Sequence, residues 1–326
     1  MSSPFRQYVP GQIITEPGAY LGMPMEVYHG QPCDGLSVSS SNLRTVYIES
    51  PKHYWNGSHF NPNRKEFKQT EPIILGRAAH HLLLGEGDFG KYFAMRPDKA
   101  PDGREWHGSN KSCLQWEADR ALEGLTIIKG EQIEWIRGMS VSLAAEPIVR
   151  GGILNGYTEV SMFWKDEETG IWLKSRPDNI PNDSGDSADL KCVADVSSDG
   201  ISRALGERGY NQQAAMVREG MKKTLDIEMQ HFTLVYVEQK PPHCVRFDEI
   251  HPLDIVGGKD PFTGEIIVGG HDENHAALRL IKRCVERNEW PGPKAPAGDG
   301  AFVRRTEWAR KQSKRRYDLI TQELAA

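Results

Sequence analysis

KSRPDNIPNDSGDSADLKCVAD, residues 174–195, sets Asp178 ahead of a turn-forming run and Asp189 and Lys191 just beyond it. Pro, Asn, Asp, Ser and Gly crowd positions 181–187, so the chain is expected to reverse there as a hairpin loop. Side chains alternate along a strand, which puts Asp189 and Lys191 on one face and Leu190 on the other. Folding the first arm back brings Asp178 toward Asp189. Two carboxylates at short range repel unless a proton or a cation lies between them. An all-oxygen pair with room for water suits Mg2+ or Mn2+ rather than Zn2+. A neighbouring lysine can orient a water or offset charge growing on a phosphate. Arg176, two residues before Asp178, shares its face and is placed to pair with an acid or to touch a phosphate. Asp183 and Asp186 are read as turn residues, and Asp195 receives no role. On spacing alone, an ordinary pair on a strand surface is the better reading, because D-x-K is a common tripeptide, so the rest of the chain must decide.

Upstream, YTEVSMFWKD (157–166) and TGIWLKSRPDNI (169–180) are short, aromatic or β-branched, and joined by the turn-like DEETG (166–170). With ADLKCVADV (188–196) they read as three antiparallel strands. Helical spacing governs ISRALGERGYNQQAAMVREGMKKT (201–224) and NHAALRLIKRCVERNEW (274–290), with a strand, HFTLVYVEQKPP (231–242), between them. Before the strands, EPIILGRAAHHLLLGEG (71–87) reads as a buried helix with Ile74, Ala78, His81 and Leu82 inward. Further helices are expected over 110–123 and 131–145, the second carrying Ile133, Ile136, Met139 and Leu143 at helical spacing. The serine cluster of LSVSSSNLRTVYIESPKHYW (36–55) caps a helix from Asn42 to Ile48, which Pro51 closes or follows with a turn. The fold class expected is α/β (α+β), a mixed central sheet flanked by helices. The organisation expected is an N-terminal arm and helical segment over 1–70, a core over 71–295, and a basic helical tail over 296–326. That tail carries seven Lys and Arg between Arg304 and Arg316. It reads equally as a solvated amphipathic helix or as a phosphate- or subunit-contacting element.

The 326 residues suffice for a substantial core, and the net charge of −5 excludes a globally basic nucleic-acid binder, though not a local basic groove. Five dispersed cysteines without a CxxC pair argue against a structural zinc or iron–sulfur site. No signal-like leader and no long apolar run stand in the sequence. A cytoplasmic protein with reduced thiols and no membrane partner is therefore expected.

Other segments carry a resemblance. RPD, a hairpin and ADLKC resemble the PD-(D/E)xK (restriction-endonuclease-like) nuclease core, with Asp178 as its first acid and Asp189-Leu190-Lys191 as its second motif. LGRAAHH (75–81) resembles the G-x-x-x-H helix of the RecB-like branch and puts His80, four after Gly76, in the histidine position. YNQQAAM (210–216) resembles that branch's Y-x-x-Q-A helix through Tyr210 and Gln213. VYHGQPCDGLSVSSSNLRTVYIESPKHYW (27–55) is similar to the N-terminal signature of RecE-type (exonuclease VIII-like) phage exonucleases. GYTEVSMFWKDEETGIWLKSRPD (156–178) follows their strand pair, with Glu159 at a recurring acidic position. The motifs keep the family's order over residues 25 to 245.

The resemblance implies an exodeoxyribonuclease degrading one strand of linear duplex DNA, 5′ to 3′, for recombination by single-strand annealing. It further implies Mg2+ (or Mn2+) held by Asp178, Asp189, the Leu190 carbonyl and His80, with Lys191 positioning the water. Glu159 and Arg176 would support the site, and Tyr210 and Gln213 would contact phosphate or Lys191, or else pack the start of their helix. Partners implied are DNA ends, a RecT-like annealing protein and further copies in a ring. Cys192 departs from the threonine usual after the lysine. Of the two adjacent histidines, the family register selects His80 and leaves His81 to packing. The alternatives are another RecB-like nuclease, structure-dependent or single-strand, and a non-catalytic DNA-end-binding module.

Overall fold

The computed structural model describes residues 4–65, 69–85, 87–180, 184–293 and 307–325. Its first sheet is built on a hairpin. Residues Phe5–Gln7 (β1), Gly18–Leu21 (β2), Ser37–Ser39 (β3), Ser161–Lys165 (β4) and Trp172–Ser175 (β5) lie in the order β1-β2-β4-β5-β3. β4 and β5 are antiparallel with Trp164 opposite Leu173. The Asp166 carboxylate holds their turn by accepting from the Thr169 N–H at 2.7 Å and its hydroxyl at 2.6 Å. β2 runs antiparallel to β4, while β1 is parallel to β2 and β3 to β5.

SMFW and WLKS are buried at every position. A strand buried on both faces needs two covers. Met162, Trp164 and Leu173 enter the main core, whereas Phe163 and Trp172 enter a second cluster with Tyr8, Ile14, Tyr20, Met23 and Tyr28. The Pro- and Gly-rich start, expected as an extended arm, is therefore the lining of the sheet's far side. Ala19 and Tyr20 of β2 are 0% and 1% exposed. Burying Phe163 alone stabilises by about 2–3 kcal/mol, a contribution that residues 8–28 make possible. Met1–Pro291 form one compact unit and Gly292–Ala326 another.

The second sheet follows Asn179–Ile180 (β6) and contains Asp186–Val193 (β7), His231–Glu238 (β8) and Val245–Glu249 (β9), in the order β7-β8-β9. Here the expectation of three antiparallel strands is corrected. β7 does not ladder onto β5 or β6; it pairs parallel with β8, Leu190 opposite Val235, and β8 is antiparallel to β9. β6 instead pairs with Tyr157–Thr158. Asp186 belongs to β7 rather than to the turn, and Asp183 lies outside the described residues.

The helices used below are Glu71–Leu83 (α1), Gly130–Ala145 (α2), Ser198–Arg208 (α3), Tyr210–Leu225 (α4) and Gly270–Arg287 (α5), and a further helix, Lys111–Leu122, stands where one was expected over 110–123. α1 turns Leu75, Ala78, Ala79 and His81 inward, while Leu82, expected inside, is 42% exposed. α1 and α2 pack on the Ala188–Leu190 and Val235–Val237 side of the second sheet. α4 and α5 pack with Phe232, Leu234 and Tyr236 on the opposite side. The single helix expected over 201–224 is broken at Gly209, whose left-handed φ of 58° ends α3 and starts α4. A side chain there would strain the left-handed backbone and push on the Gln212 and Arg44 side chains, so glycine suits the conformation. The 36–55 segment forms two short helical pieces, Ser40–Arg44 and Thr45–Glu49, and Pro51 opens a further helix, Pro51–Gly57. In the second unit, Glu307–Ala325 is a helix with Glu307–Lys311 and Lys314–Asp318 pairs at one-turn spacing; Arg304 and Arg305 lie outside the described residues. No helix among the described residues is long and apolar enough to cross a membrane.

Lys174, 2% exposed in β5, donates to the Tyr28 and Gly30 carbonyls at 2.8 and 2.7 Å. Burial pulls its amine down to about 8, against a small opposing influence from Cys33. Between pH 8 and the ordinary lysine value of 10.5, the unfolded chain binds more protons than the folded one, so stability rises with pH in that window. Denaturant midpoints between pH 7.5 and 10.5 are expected to show wild type gaining about 3 kcal/mol relative to Lys174→Met. Parallel curves for the two proteins would disprove a charged, desolvated Lys174.

Candidate active site

Period-two alternation along β7 builds the site. Ala188 and Leu190, both fully buried, point into the α1–α2 side, and Asp189 and Lys191 point toward α4. There the Asp189 carboxylate, 2% exposed, ion-pairs through Oδ2 with Lys191 Nζ and accepts from Gln213 Nε2 at 2.6 Å through Oδ1. Gln213 turns its Oε1 back to accept from Lys191 Nζ at 3.0 Å. The ring of Tyr210 lies 4.8 Å from the same ammonium. Lys191 is thus fixed on three sides by Asp189, Gln213 and Tyr210. The helix start at 210, made possible by Gly209, puts the last two one turn apart on one helix face.

β7 is an edge strand, and its outer N–H groups are met by side chains instead of a neighbouring strand. Asp178 Oδ2 accepts from Leu190 N at 2.7 Å, and Asn179 Oδ1 accepts from Ala188 N at 3.1 Å. The hairpin expectation is met in that Asp178 folds back onto β7, but through its side chain and not through a ladder. A residue's N–H and C=O leave an extended strand on the same side. The Leu190 carbonyl is therefore carried to the edge where Asp178 stands.

His80 reaches this edge from α1, its Nδ1 3.4 Å from Asp178 Oδ1. Burial alone would depress the imidazole, but the Asp178 carboxylate overrides it and raises His80 to about 9. His81 turns the other way and packs its ring against Phe89, Tyr92 and Phe93, as a core histidine does. The carboxyls are driven apart. Burial would raise Asp178, yet His80 and Lys191 hold it below the usual range. Asp189 is raised, first by burial and then by the Asp178 charge. Burial also opposes the Lys191 charge, but Asp189 and Asp178 outweigh it and raise the amine. An unfavourable concentration of negative charge is here balanced by protein cations.

Glu159 and Arg176 form a separate pair beside the site. Arg176, with a side chain 9% exposed, ion-pairs with Glu159 and donates to the Met23 carbonyl at 2.9 Å. Arg176 is thus engaged by an acid and the N-terminal segment. Glu159 is not a regular strand residue: its φ of 58° lies in the left-handed region, which costs a non-glycine residue about 1–3 kcal/mol. Asp178 and His80 line a cleft of about 590 Å3 whose walls also include Arg77, Tyr28, Glu159 and Arg176.

A family model described as a PDDEXK-like domain of unknown function (DUF3799) matches residues 39–293. The chain belongs to this family. A crystal structure from Eubacterium rectale, described as a "putative exonuclease", superposes with a TM-score of 0.53 over 88% of this chain and 96% of that one. At 13% identity the likeness is one of fold. No curated protein matches the sequence.

In this PDDEXK-like domain, Asp178, Asp189, Lys191, His80, Gln213 and Tyr210 converge around the β7 edge. Cys192 does not join the Asp189–Lys191 face. It packs at the margin of the α1–α2 cluster, its thiol pushed up to about 12 by burial and the Asp178 charge. Arg77 and Tyr28 went unread in the sequence as cleft residues. Only the three-residue offset of Arg77 from His80 along α1 hinted that it shares the histidine's side of the helix. Removing the bridging amide tests this arrangement. Gln213→Ala leaves buried Asp189 Oδ1 without its donor, and urea denaturation is expected to show a loss of about 1–3 kcal/mol. An unchanged midpoint would mean that Asp189 does not depend on Gln213.

Proposed function

We propose that this protein is a divalent-metal-dependent deoxyribonuclease, an exonuclease that removes one strand of linear double-stranded DNA. The observation that carries the reading is two carboxylates, an ammonium and a backbone carbonyl gathered at one unladdered strand edge. A purely structural cluster has no use for one buried and one half-buried carboxylate whose repulsion must be offset by surrounding charge. The donor set fits Mg2+, and Mn2+ as a substitute: Asp178, Asp189 and the Leu190 carbonyl supply oxygens, with His80 beside them. The buried Asp189 Oδ2, met only by the Lys191 ion pair, is a ready ligand atom. When bound, such an ion polarises a phosphoryl oxygen and lowers the pKa of water.

The protein's own groups have separable tasks. Lys191, held by Gln213 over Tyr210, orients the attacking water and offsets charge building on the scissile phosphate. Gln213 keeps Asp189 and Lys191 in register. Asp178, fixed to the Leu190 N–H, keeps its other oxygen available beside His80. Arg77 offers a cation along the cleft wall for the DNA backbone, while Arg176 braces Glu159. The description of the Eubacterium rectale protein as a putative exonuclease supports the exonuclease reading, as does the resemblance to RecE-type enzymes. That resemblance is also the support for 5′-to-3′ polarity, a ring of copies, and a RecT-like annealing partner in recombination.

End-labelled linear duplex and the matching closed circle, each with Mg2+ and with EDTA, separate the possibilities. The expected outcome is metal-dependent release of 5′ label from the linear duplex with the circle untouched. Nicking or linearisation of the circle would replace the exonuclease with an endonuclease. Asp189→Ala and Lys191→Ala are expected to lose at least about 1,000-fold in rate while still retarding duplex ends in a gel. Activity near wild type in either variant would refute the assignment.

A further inference from the structure

A second group of ligand-type side chains stands apart from the β7 edge. Glu219 on α4 faces His271 and His275, one turn apart on α5. Among the described residues, their ligand atoms all lie within 4.8 Å of one another. Glu219 Oε2 is 3.5 Å from His275 Nε2 and 3.8 Å from His271 Nδ1. A tetrahedral zinc ion with ligands at 2.0 to 2.2 Å needs donor atoms about 3.3 Å apart. The two distances from Glu219 exceed that spacing by about 0.2 and 0.5 Å.

The surroundings point to the same use. His275 Nε2 is buried, and its partner is the Glu219 carboxylate 3.5 Å away, a separation longer than a good hydrogen bond. The other nitrogen of that ring, Nδ1, lies 3.6 Å from Asp166 Oδ2, and Asp166 is 7% exposed with its Oδ1 already fixed by Thr169. A carboxylate behind an imidazole is what sets the tautomer and direction of a metal-binding histidine. Glu219 is braced likewise: Trp164 Nε1 donates to its Oε1 at 2.8 Å, leaving Oε2 directed at the histidines. His271, with a side chain 46% exposed, opens onto a cleft of about 180 Å3 that Arg218 and Lys222 also line, giving room for a water as fourth ligand. The two helices are already held close. A Cβ at Gly270 would fall 2.2 Å from the Asn211 carbonyl oxygen, and Asn274 and Gln212 exchange hydrogen bonds at 2.9 and 3.2 Å.

We propose that Glu219, His271 and His275 bind a zinc ion that cross-links α4 to α5. One acidic and two imidazole ligands form a nitrogen-rich set suited to Zn2+ or Co2+, in contrast to the oxygen-rich set at the β7 edge. Glu219 lies six residues beyond Gln213, about 9 Å along the same helix. The ion would therefore steady the helix that holds Lys191. This site does not depend on the nuclease reading.

The test uses the full chain stripped with a chelator and desalted, then titrated with Co2+ and with Zn2+. Cobalt is expected to give the intense visible absorption of a four-coordinate site, and one equivalent of zinc is expected to abolish it. Asp189→Asn should keep that band, whereas His271→Ala and Glu219→Gln should weaken binding by more than about 100-fold. His271 is partly exposed, so His271→Ala is expected to melt like wild type in chelator. Saturating zinc should raise the wild-type Tm by roughly 5 °C and leave His271→Ala unmoved. A band that survives His271→Ala, a band lost in Asp189→Asn, or the absence of a four-coordinate band would each overturn the proposal. In that last case Glu219 and the histidines are an ion-pair cluster only.

Discussion

Placing two carboxylates at one edge of a sheet is the constraint to which much of this molecule answers. Asp189 is almost fully buried and Asp178 partly so, and each raises the cost of ionising the other. Cations must come from elsewhere in the chain, and they arrive from opposite faces of the second sheet. Lys191 stands on the α4 side, where Gln213 and Tyr210 hold it, and His80 comes from α1 on the other. The Leu190 position joins the two, because its side chain anchors the α1–α2 core while its N–H holds Asp178. The packing of α1 and α4 against the sheet is thus inseparable from the electrostatics of the site.

The parts of this arrangement legible in the sequence are those set by local periodicity. Alternation along ADLKC gave the shared face of Asp189 and Lys191 and the inward Leu190. Helical spacing gave Ile136, Met139 and Leu143, and all three are buried. Long-range pairing was not legible. Nothing within residues 186–193 says that their partner is a parallel strand some 45 residues onward, and side-chain capping of the free edge looks like a hairpin from local signals alone. The N-terminal segment misled for a related reason. Its prolines and glycines mark turns, yet the apolar residues between them are needed because β4 and β5 are apolar on both faces. Glu159 is a third instance, since a left-handed glutamate has no signature in a chain read by propensity. H-D-E-N-H at 271–275 was readable as two histidines one turn apart, but their partner Glu219 is fixed only by tertiary packing.

Charge placement and stability pull in opposite directions around β7. A leucine or methionine at 189 would remove the repulsion with Asp178, though it would strand the Lys191 charge. Glu159 holds a conformation that glycine would adopt more readily, in order to meet Arg176. These local costs are tolerable because the first sheet is buried on both faces, with Phe163 and Trp172 under the N-terminal cover and Trp164 in the main core. Stability is generated in the hairpin-based sheet and consumed at the edge of the other.

The side-chain capping of β7 also bears on how the protein behaves in a crowded solution. An uncovered edge strand is a template onto which a strand of another chain can add. Asp178 and Asn179 occupy the donors that an incoming strand would need, and an approaching backbone would meet buried negative charge. The residues that cap the Ala188 and Leu190 N–H groups are therefore the same ones that make this edge a poor seed for intermolecular sheet growth. Strand capping and protection against sheet growth are met here by one pair of side chains.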